Sequence, residues 1–247
     1  MKILCLDTSA KTAAAAIVEG DRILAESCVN VGLTHSQTVM PMLDGMLSSA
    51  RMALGDMDLF AVSHGPGSFT GIRIGIGAVK GLAQGLGRLC FGVSTLEALA
   101  YNFHGLEGFV CPVMDARCRQ VYTALFCGRE GNLLREWPDQ AISIDELGEK
   151  LLQLPAPSVL VGDGAELCFG LLREKVPGLR LAPPQLRLQR GSSVGFAAQA
   201  ALETSPPLTP AQLMPVYLRL PQAERELRKK EGASPIGKDD ANAGTGK

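Results

Sequence analysis

His64-Gly65-Pro66-Gly67-Ser68-Phe69-Thr70-Gly71-Ile72-Arg73 follows the apolar run 59–62 and precedes a long stretch with helical spacing. A strand that ends in Gly-Pro-Gly and reopens as a helix predicts the geometry of a phosphate cradle. Glycines admit close approach, and the first amides of a helix lack partners. The segment lacks the Gly-Lys-Ser/Thr ending of a P-loop, since Gly71 is followed by Ile72 and Arg73. Beyond it recur Gly75, Gly77, Gly81 and Gly85, several of them four apart. Each glycine inside a helix costs roughly 1 kcal/mol relative to alanine. Glycines four apart share a face that lets another backbone come close. The spacing predicts a helix over 70–86 that is built to be packed against.

Upstream, residues 2–7 are apolar throughout and read as a buried strand, followed by strands at 12–18 and 23–29 around a Glu19-Gly20-Asp21 turn. Residues 34–50 have helical spacing, with Val39, Met40, Leu43, Met46 and Leu47 on one face. Pro41 falls inside that pattern and predicts a kink or a late start. Downstream come a strand at 89–93 and a helix from Ser94 to about Tyr101, with Ser94 and Glu97 spaced as a capping box. A second unit opens near Phe109 with strands at 109–114 and 120–127, and a further strand at 133–137. A helix at 144–154, a strand at 158–161 and a Gly162–Ala165 turn into a helix at 166–174 follow. Two units that each open with consecutive strands and then alternate helix and strand predict a duplicated α/β lobe with mixed sheets. The expected division is 1–103, 104–221 and a tail at 222–247 too poor in large apolar residues to order itself.

The bulk composition narrows the partners. The net charge of −1 gives no electrostatic reason to expect strong nucleic-acid binding by this chain alone. No apolar run approaches the ~20 residues of a membrane span, and Asp7 interrupts the first apolar stretch before a signal-peptide core forms. The 7 cysteines contain no Cys-x-x-Cys pair and sit mostly in apolar runs, which predicts free buried thiols in a reduced, cytoplasmic protein.

The candidate chemistry is sparse. Asp7-Thr8-Ser9 ends the first strand where an actin-like ATPase carries Asp-x-Gly-x-Thr, but Ser9 stands at the phosphate-approaching glycine. Asp7, Ser9, Gly65 and Gly67 are therefore weak nucleotide candidates, and a turn-capping role for Asp7 and Ser9 is the competing reading. His35, His64 and His104 have no metal-ligand spacing, and His35 and His64 read as turn or capping residues. Asp115, Arg117 and Arg119 cluster beside Tyr122 at a hairpin tip, either a solvated turn or a polar contact patch. No catalytic nucleophile, cofactor site or metal site rises above background.

The segments LDTSA at 6–10, HSQTVMP at 35–41, GPGSFTGIRIG at 65–75, GVSTLEALA at 92–100, DARCRQVY at 115–122, GDGA at 162–165 and MPVYLRLP at 214–221 occur in order. Together they resemble the TsaB (YeaZ) family over residues 1–221, with Cys118 where the family usually has a second arginine. The resemblance implies the two-lobed sugar-kinase, heat-shock ATPase and actin-like (ASKHA) α/β fold. It also implies a non-catalytic, cytoplasmic subunit that binds a catalytic TsaD-type protein in forming N6-threonylcarbamoyladenosine at position 37 of tRNAs reading ANN codons. A TsaE-type ATPase would join through the complex, tRNA would be contacted only indirectly, no membrane would be involved, and the isolated chain would be a homodimer. The catalytic paralogue carries an Asn-His-Met-Glu-x-His metal motif where this chain has Ser94-Thr95-Leu96-Glu97-Ala98-Leu99, so Thr95 and Leu99 stand at the histidine places. An ATPase, a metallopeptidase and a nucleotide sensor remain the alternatives. The expected partner interface is the face of helices 34–50 and 70–86 formed by Met40, Leu43, Leu47, Gly71, Ile72, Gly75, Ile76 and Val79. A bulky residue at Gly75 is expected to abolish pairing and spare the fold.

Overall fold

The computed structural model describes residues 1–219, and the tail expected at 222–247 lies outside them. Lys2–Asp7 forms β1, Ala13–Glu19 β2 and Arg22–Val29 β3, an antiparallel meander. His35–Ala50 is α1, Leu59–Gly65 β4, Phe69–Gly85 α2, Leu89–Ser94 β5 and Thr95–Ala100 α3. The second unit runs β6 (Gly108–Asp115), β7 (Gln120–Arg129), β8 (Asn132–Ser143), α4 (Ile144–Leu152) and β9 (Ser158–Val161). It ends with α5 (Ala165–Leu172), β10 (Arg180–Leu181) and α6 (Pro184–Arg187), before α7 (Gly191–Leu202). Each half carries one mixed five-stranded sheet, in the orders β3-β2-β1-β4-β5 and β10-β9-β6-β7-β8. No helix among the described residues is long and apolar enough to cross a membrane.

The near-continuous apolarity of β1 and β2 follows from burial on both faces of the first sheet. Leu4 and Leu6 pack with α1 and α2, whereas Ile3 and Cys5 pack with Val194, Ala197 and Ala198 of α7. The four alanines Ala13 to Ala16 leave α7 room to lie on the β2 backbone, and a Cβ at Gly191 would sit 2.3 Å from the Ala15 carbonyl carbon. The second sheet repeats the arrangement. Val113, Val121 and Leu125 meet α4 and α5, while Met114, Ala124 and Phe126 meet Leu96 and Leu99 of α3. α3 thus wedges between the halves.

Four expectations meet a different structure. The second unit expected over 104–221 does not keep its C-terminal part to itself. α7 belongs to the first lobe's interior, Leu213 is buried against α1 and α2, and Leu208 pairs with Cys90 beyond β5. Helix α1 begins at His35 and includes Pro41, so it has no late start. The ring lies on the exposed side, where water can serve the Gln37 carbonyl that lacks its helical partner. Strand β8 extends well past Trp137 because it is an edge strand, which tolerates Pro138. At Ser94 only half of the expected capping box forms: its Oγ accepts the Glu97 amide at 3.3 Å, while the Glu97 carboxylate turns to Arg135.

Candidate functional site

The end of β1 is tied inward rather than presented to a ligand. Asp7 is buried, and its carboxylate accepts the Ser9 amide at 2.8 Å, the Ser9 hydroxyl at 2.7 Å and the Ser63 hydroxyl at 2.5 Å. Burial raises its pKa above the usual carboxylate value, opposed by the hydrogen bonds from Ser63 and Ser9. Both polar hydrogens of Ser9 are therefore engaged. The glycine loop closes on the same place: Ser68 donates its amide to the Ser9 carbonyl at 2.7 Å, and a Cβ at Gly67 would lie 2.4 Å from that oxygen. Gly65, at φ +125°, is pressed under the Val216 carbonyl, which a Cβ would approach to 2.1 Å. These glycines serve backbone-to-backbone contact, and the expected phosphate cradle does not form between Ser9 and Gly67. Asp7 and Gly65 lie outside the cleft described next, whereas Ser9 and Gly67 line it.

Between the two sheets opens a cleft of about 360 Å³. The first lobe supplies Ser9, Lys11 and the first turn of α2, Phe69 and Thr70; the second supplies Met114, Asp115, Arg117, Tyr122 and Asp163. Tyr217 and Arg219 close it from the C-terminal segment. That segment works as a strap. Val216 donates its amide to the His64 carbonyl at 2.8 Å, Tyr217 stacks on Phe69 with centroids 4.7 Å apart, and Arg219 donates to the Ala116 carbonyl at 2.7 Å. Arg73 caps the stack, 3.8 Å from the Phe69 centroid, with its Nε donating to the Tyr217 hydroxyl at 2.9 Å. Burial pushes the Asp163 carboxyl up to about 6; the neighbouring Asp115 charge adds to this, against the Asp115 amide and Lys11.

The hairpin tip splits in two. Asp115, Arg117 and Tyr122 turn to the cleft, while Arg119 pairs with exposed Asp145 at 3.5 Å. Arg117, Cys118 and Arg119 are all left-handed, at φ 62°, 53° and 55°, a run that costs non-glycine residues roughly 1–2 kcal/mol each. Of the histidines, His35 bonds through Nε2 to the Ala10 carbonyl at 2.6 Å and starts α1. His64 is not a cap; its ring lies over Gly92, where a Cβ would be 2.4 Å from Nδ1. Lys11, Tyr217 and Arg219 carried no assignment in the sequence, although the segment 214–221 stood out as a motif.

The expected partner face is largely interior. Leu43, Leu47, Ile72, Ile76 and Val79 are buried in the first lobe's own core, and Gly71 and Gly75 are buried with them. A Cβ at Gly71 would meet the Thr8 carbonyl at 2.1 Å and one at Gly75 the Thr8 Oγ1 at 2.3 Å, so this half of the glycine seam receives the end of β1. The correction follows from helical geometry: the apolar stripe faces the protein's own sheet, and only Met40 of the eight named residues is exposed. The other half of the seam looks outward. Gly77, Gly81 and Gly85 have nothing within 4 Å of a built Cβ and are flanked by partly buried Ile74, Ala78 and Leu82. Exposed Met40, Pro41, Gly45 and Ser48 continue this small-residue surface onto α1. Thr95 and Leu99 are interior, Leu99 within the α3 cluster and Thr95 with its hydroxyl buried and without a hydrogen-bond partner.

The comparisons with known proteins agree with one another. The family model described as TsaD, tRNA N6-adenosine threonylcarbamoyltransferase, matches residues 30–163. The chain is 33% identical to the tRNA threonylcarbamoyladenosine biosynthesis protein TsaB of Bacillus subtilis, over 91% of this chain and 96% of that protein. It is 31% identical to the Escherichia coli protein of the same name, over 94% of this chain and 100% of that one. The solved structure of YeaZ from Pseudomonas aeruginosa superposes with a TM-score of 0.73 at 28% identity, covering 88% of this chain and 99% of that chain. The two mixed sheets flanked by helices are the expected ASKHA arrangement.

Proposed function

The chain belongs to the TsaB (YeaZ) family, and from that premise we propose that it is a non-catalytic partner subunit in tRNA threonylcarbamoyladenosine biosynthesis. It binds a TsaD-type catalytic subunit and is required for threonylcarbamoyl transfer to N6 of adenosine 37 in tRNAs reading ANN codons. A TsaE-type ATPase joins through that complex, and tRNA is held mainly by the catalytic partner.

The observation that carries this reading is the state of Thr95 and Leu99. At the positions where the catalytic paralogue is expected to present two metal-binding imidazoles, this chain packs a methyl-bearing hydroxyl and an isobutyl group into its interior. Neither offers a nitrogen lone pair to a divalent metal. The engagement of both Ser9 hydrogens by Asp7 weighs in the same direction against the ATPase alternative. Docking uses the outward half of the α2 seam and the small exposed residues of α1, against which a homologous helix pair can approach closely.

Reconstitution tests the proposal. A TsaD-type subunit, a TsaE-type ATPase and a threonylcarbamoyl donor are expected to modify tRNA only when this chain is added. Gly81→Trp, which meets open space in the monomer, is expected to remove both pairing and modification. Full modification without this chain would overturn the role.

A further inference from the structure

The interlobe cleft is the feature this function leaves unused. At about 360 Å³ it lies near the small end of the ~300–1,000 Å³ range of ligand pockets. Its lining carries both signs of charge: Lys11, Arg117 and Arg219 are cationic, Asp115 and Asp163 anionic. The two acids adjoin, since the Asp115 amide donates to Asp163 Oδ1 at 3.3 Å. That bond is long, and no ion pair to Asp163 occurs among the described residues, so backbone amides (its own and that of Asp115) and the charge of Lys11 meet the carboxylate rather than a paired cation. Across from them, Phe69 and Thr70 of the first turn of α2 line the cleft, and the dipole of a helix start favours an anion.

We infer that this cleft binds a free α-amino acid, its carboxylate toward the first turn of α2 and the cationic side chains, its ammonium toward Asp163 and Asp115. The lining discriminates against simpler ions. An anion alone meets two carboxylates, and a polyphosphate adds more charge against them; a lone cation meets three basic groups. A molecule that carries both charges a few bonds apart satisfies both walls. The ionised form of Asp163, disfavoured by burial, is the group such an ammonium would relieve. This inference does not depend on pairing with a catalytic subunit.

Calorimetry and thermal unfolding of the full chain test it, with L-serine and L-glutamate as probes. Ethanolamine, L-lactate, inorganic phosphate, magnesium alone and magnesium-ATP serve as comparators. Saturable binding of at least one amino acid near one per chain is expected, with a rise in Tm. Each comparator is expected to bind at least about tenfold more weakly. Asp163→Asn is expected to weaken amino-acid binding about tenfold or more, and Lys11→Gln, on the exposed rim, to weaken it less without touching the fold. Lactate or phosphate binding as well as the amino acids would make the cleft an anion site and overturn the inference. Magnesium or magnesium-ATP binding best would overturn it too, as would no saturable heat at about 10 mM amino acid, roughly 3 kcal/mol of affinity. If Asp163→Asn fails to fold, an undiminished affinity in Lys11→Gln together with Arg117→Gln would overturn the assignment to the cleft.

Discussion

Two residues separate what burial and backbone each demand. Asp163 is lodged where its charged form is disfavoured, with its carboxyl raised to about 6 by burial first and by Asp115 second. Because the folded value lies above the unfolded one of 3.8, the folded state holds more protons between about pH 4 and 6. Stability therefore falls as pH rises through that window, and the penalty is complete above it. Asp163→Asn is expected to raise stability at pH 7 by on the order of 1–3 kcal/mol, and its Tm advantage over the wild type to shrink away as pH falls from about 6 to about 4. An advantage that did not shrink would place the titration elsewhere. Gly75 shows the opposite conflict. Alanine there gains roughly 1 kcal/mol of helix propensity, but its Cβ would lie 2.3 Å from Thr8 Oγ1, which itself donates to the Gly71 carbonyl at 2.8 Å. Gly75→Ala is expected to destabilise by about 1–3 kcal/mol in denaturant titration. A bulky residue at Gly75 would thus damage the fold before it could report on pairing.

Helix α2 is two surfaces on one element. Its inner glycines admit the end of β1, and its outer ones face open space, so equal spacing hides unequal consequences. Gly81→Ala is expected to stabilise the monomer by roughly 1 kcal/mol, the reverse of Gly75→Ala, and the pair of chemical-denaturation midpoints checks that division. The strap is the second element with a clear cost: Leu213 is fully buried against α1 and α2, and Leu213→Ala is expected to lose about 2–5 kcal/mol. The order of strands and helices was legible from periodicity, because α1, α2 and the 144–152 helix each bury one stripe, and β1 is a continuous apolar run buried on both faces. What the helices faced was not. Leu43, Ile72 and Val79 are an exposed stripe or a core stripe depending on where the sheet lies, and that is settled by the pairing of β1 with β4, two strands more than fifty residues apart. The cleft was half legible: Ser9, Gly67, Asp115, Arg117 and Tyr122 stood out locally. Lys11 and Arg219 become neighbours only when the strap returns across both lobes, a contact without any local period.

On the scale of the molecule, α3 and the strap join two sheets that would otherwise be separate cores, and they leave the outer sides of α1 and α2 unpaired. That side is small and weakly polar, with Met40, Ile74, Ala78 and Leu82 among its apolar members, and wet apolar area costs roughly 25 cal/mol per Å². A second copy covers it most simply through a two-fold, self-complementary contact. The isolated chain is therefore expected to sediment as a homodimer, Gly81→Trp as a monomer of undiminished Tm, and a TsaD-type subunit to convert the wild-type dimer into a heteromeric complex. A Gly81→Trp variant that remained dimeric would place the contact on another face. The same surface balance bears on RNA. With 24 basic against 25 acidic side chains, and the cleft's cations set beside Asp115 and Asp163, few counterions would be released from a phosphate backbone. A gel shift of tRNA with this chain alone at moderate salt is expected to show no specific complex, and addition of the catalytic partner to produce one. A tight, salt-resistant complex with the isolated chain would make it a recognition subunit, and its phosphate contacts would then have to lie outside the mixed-charge cleft.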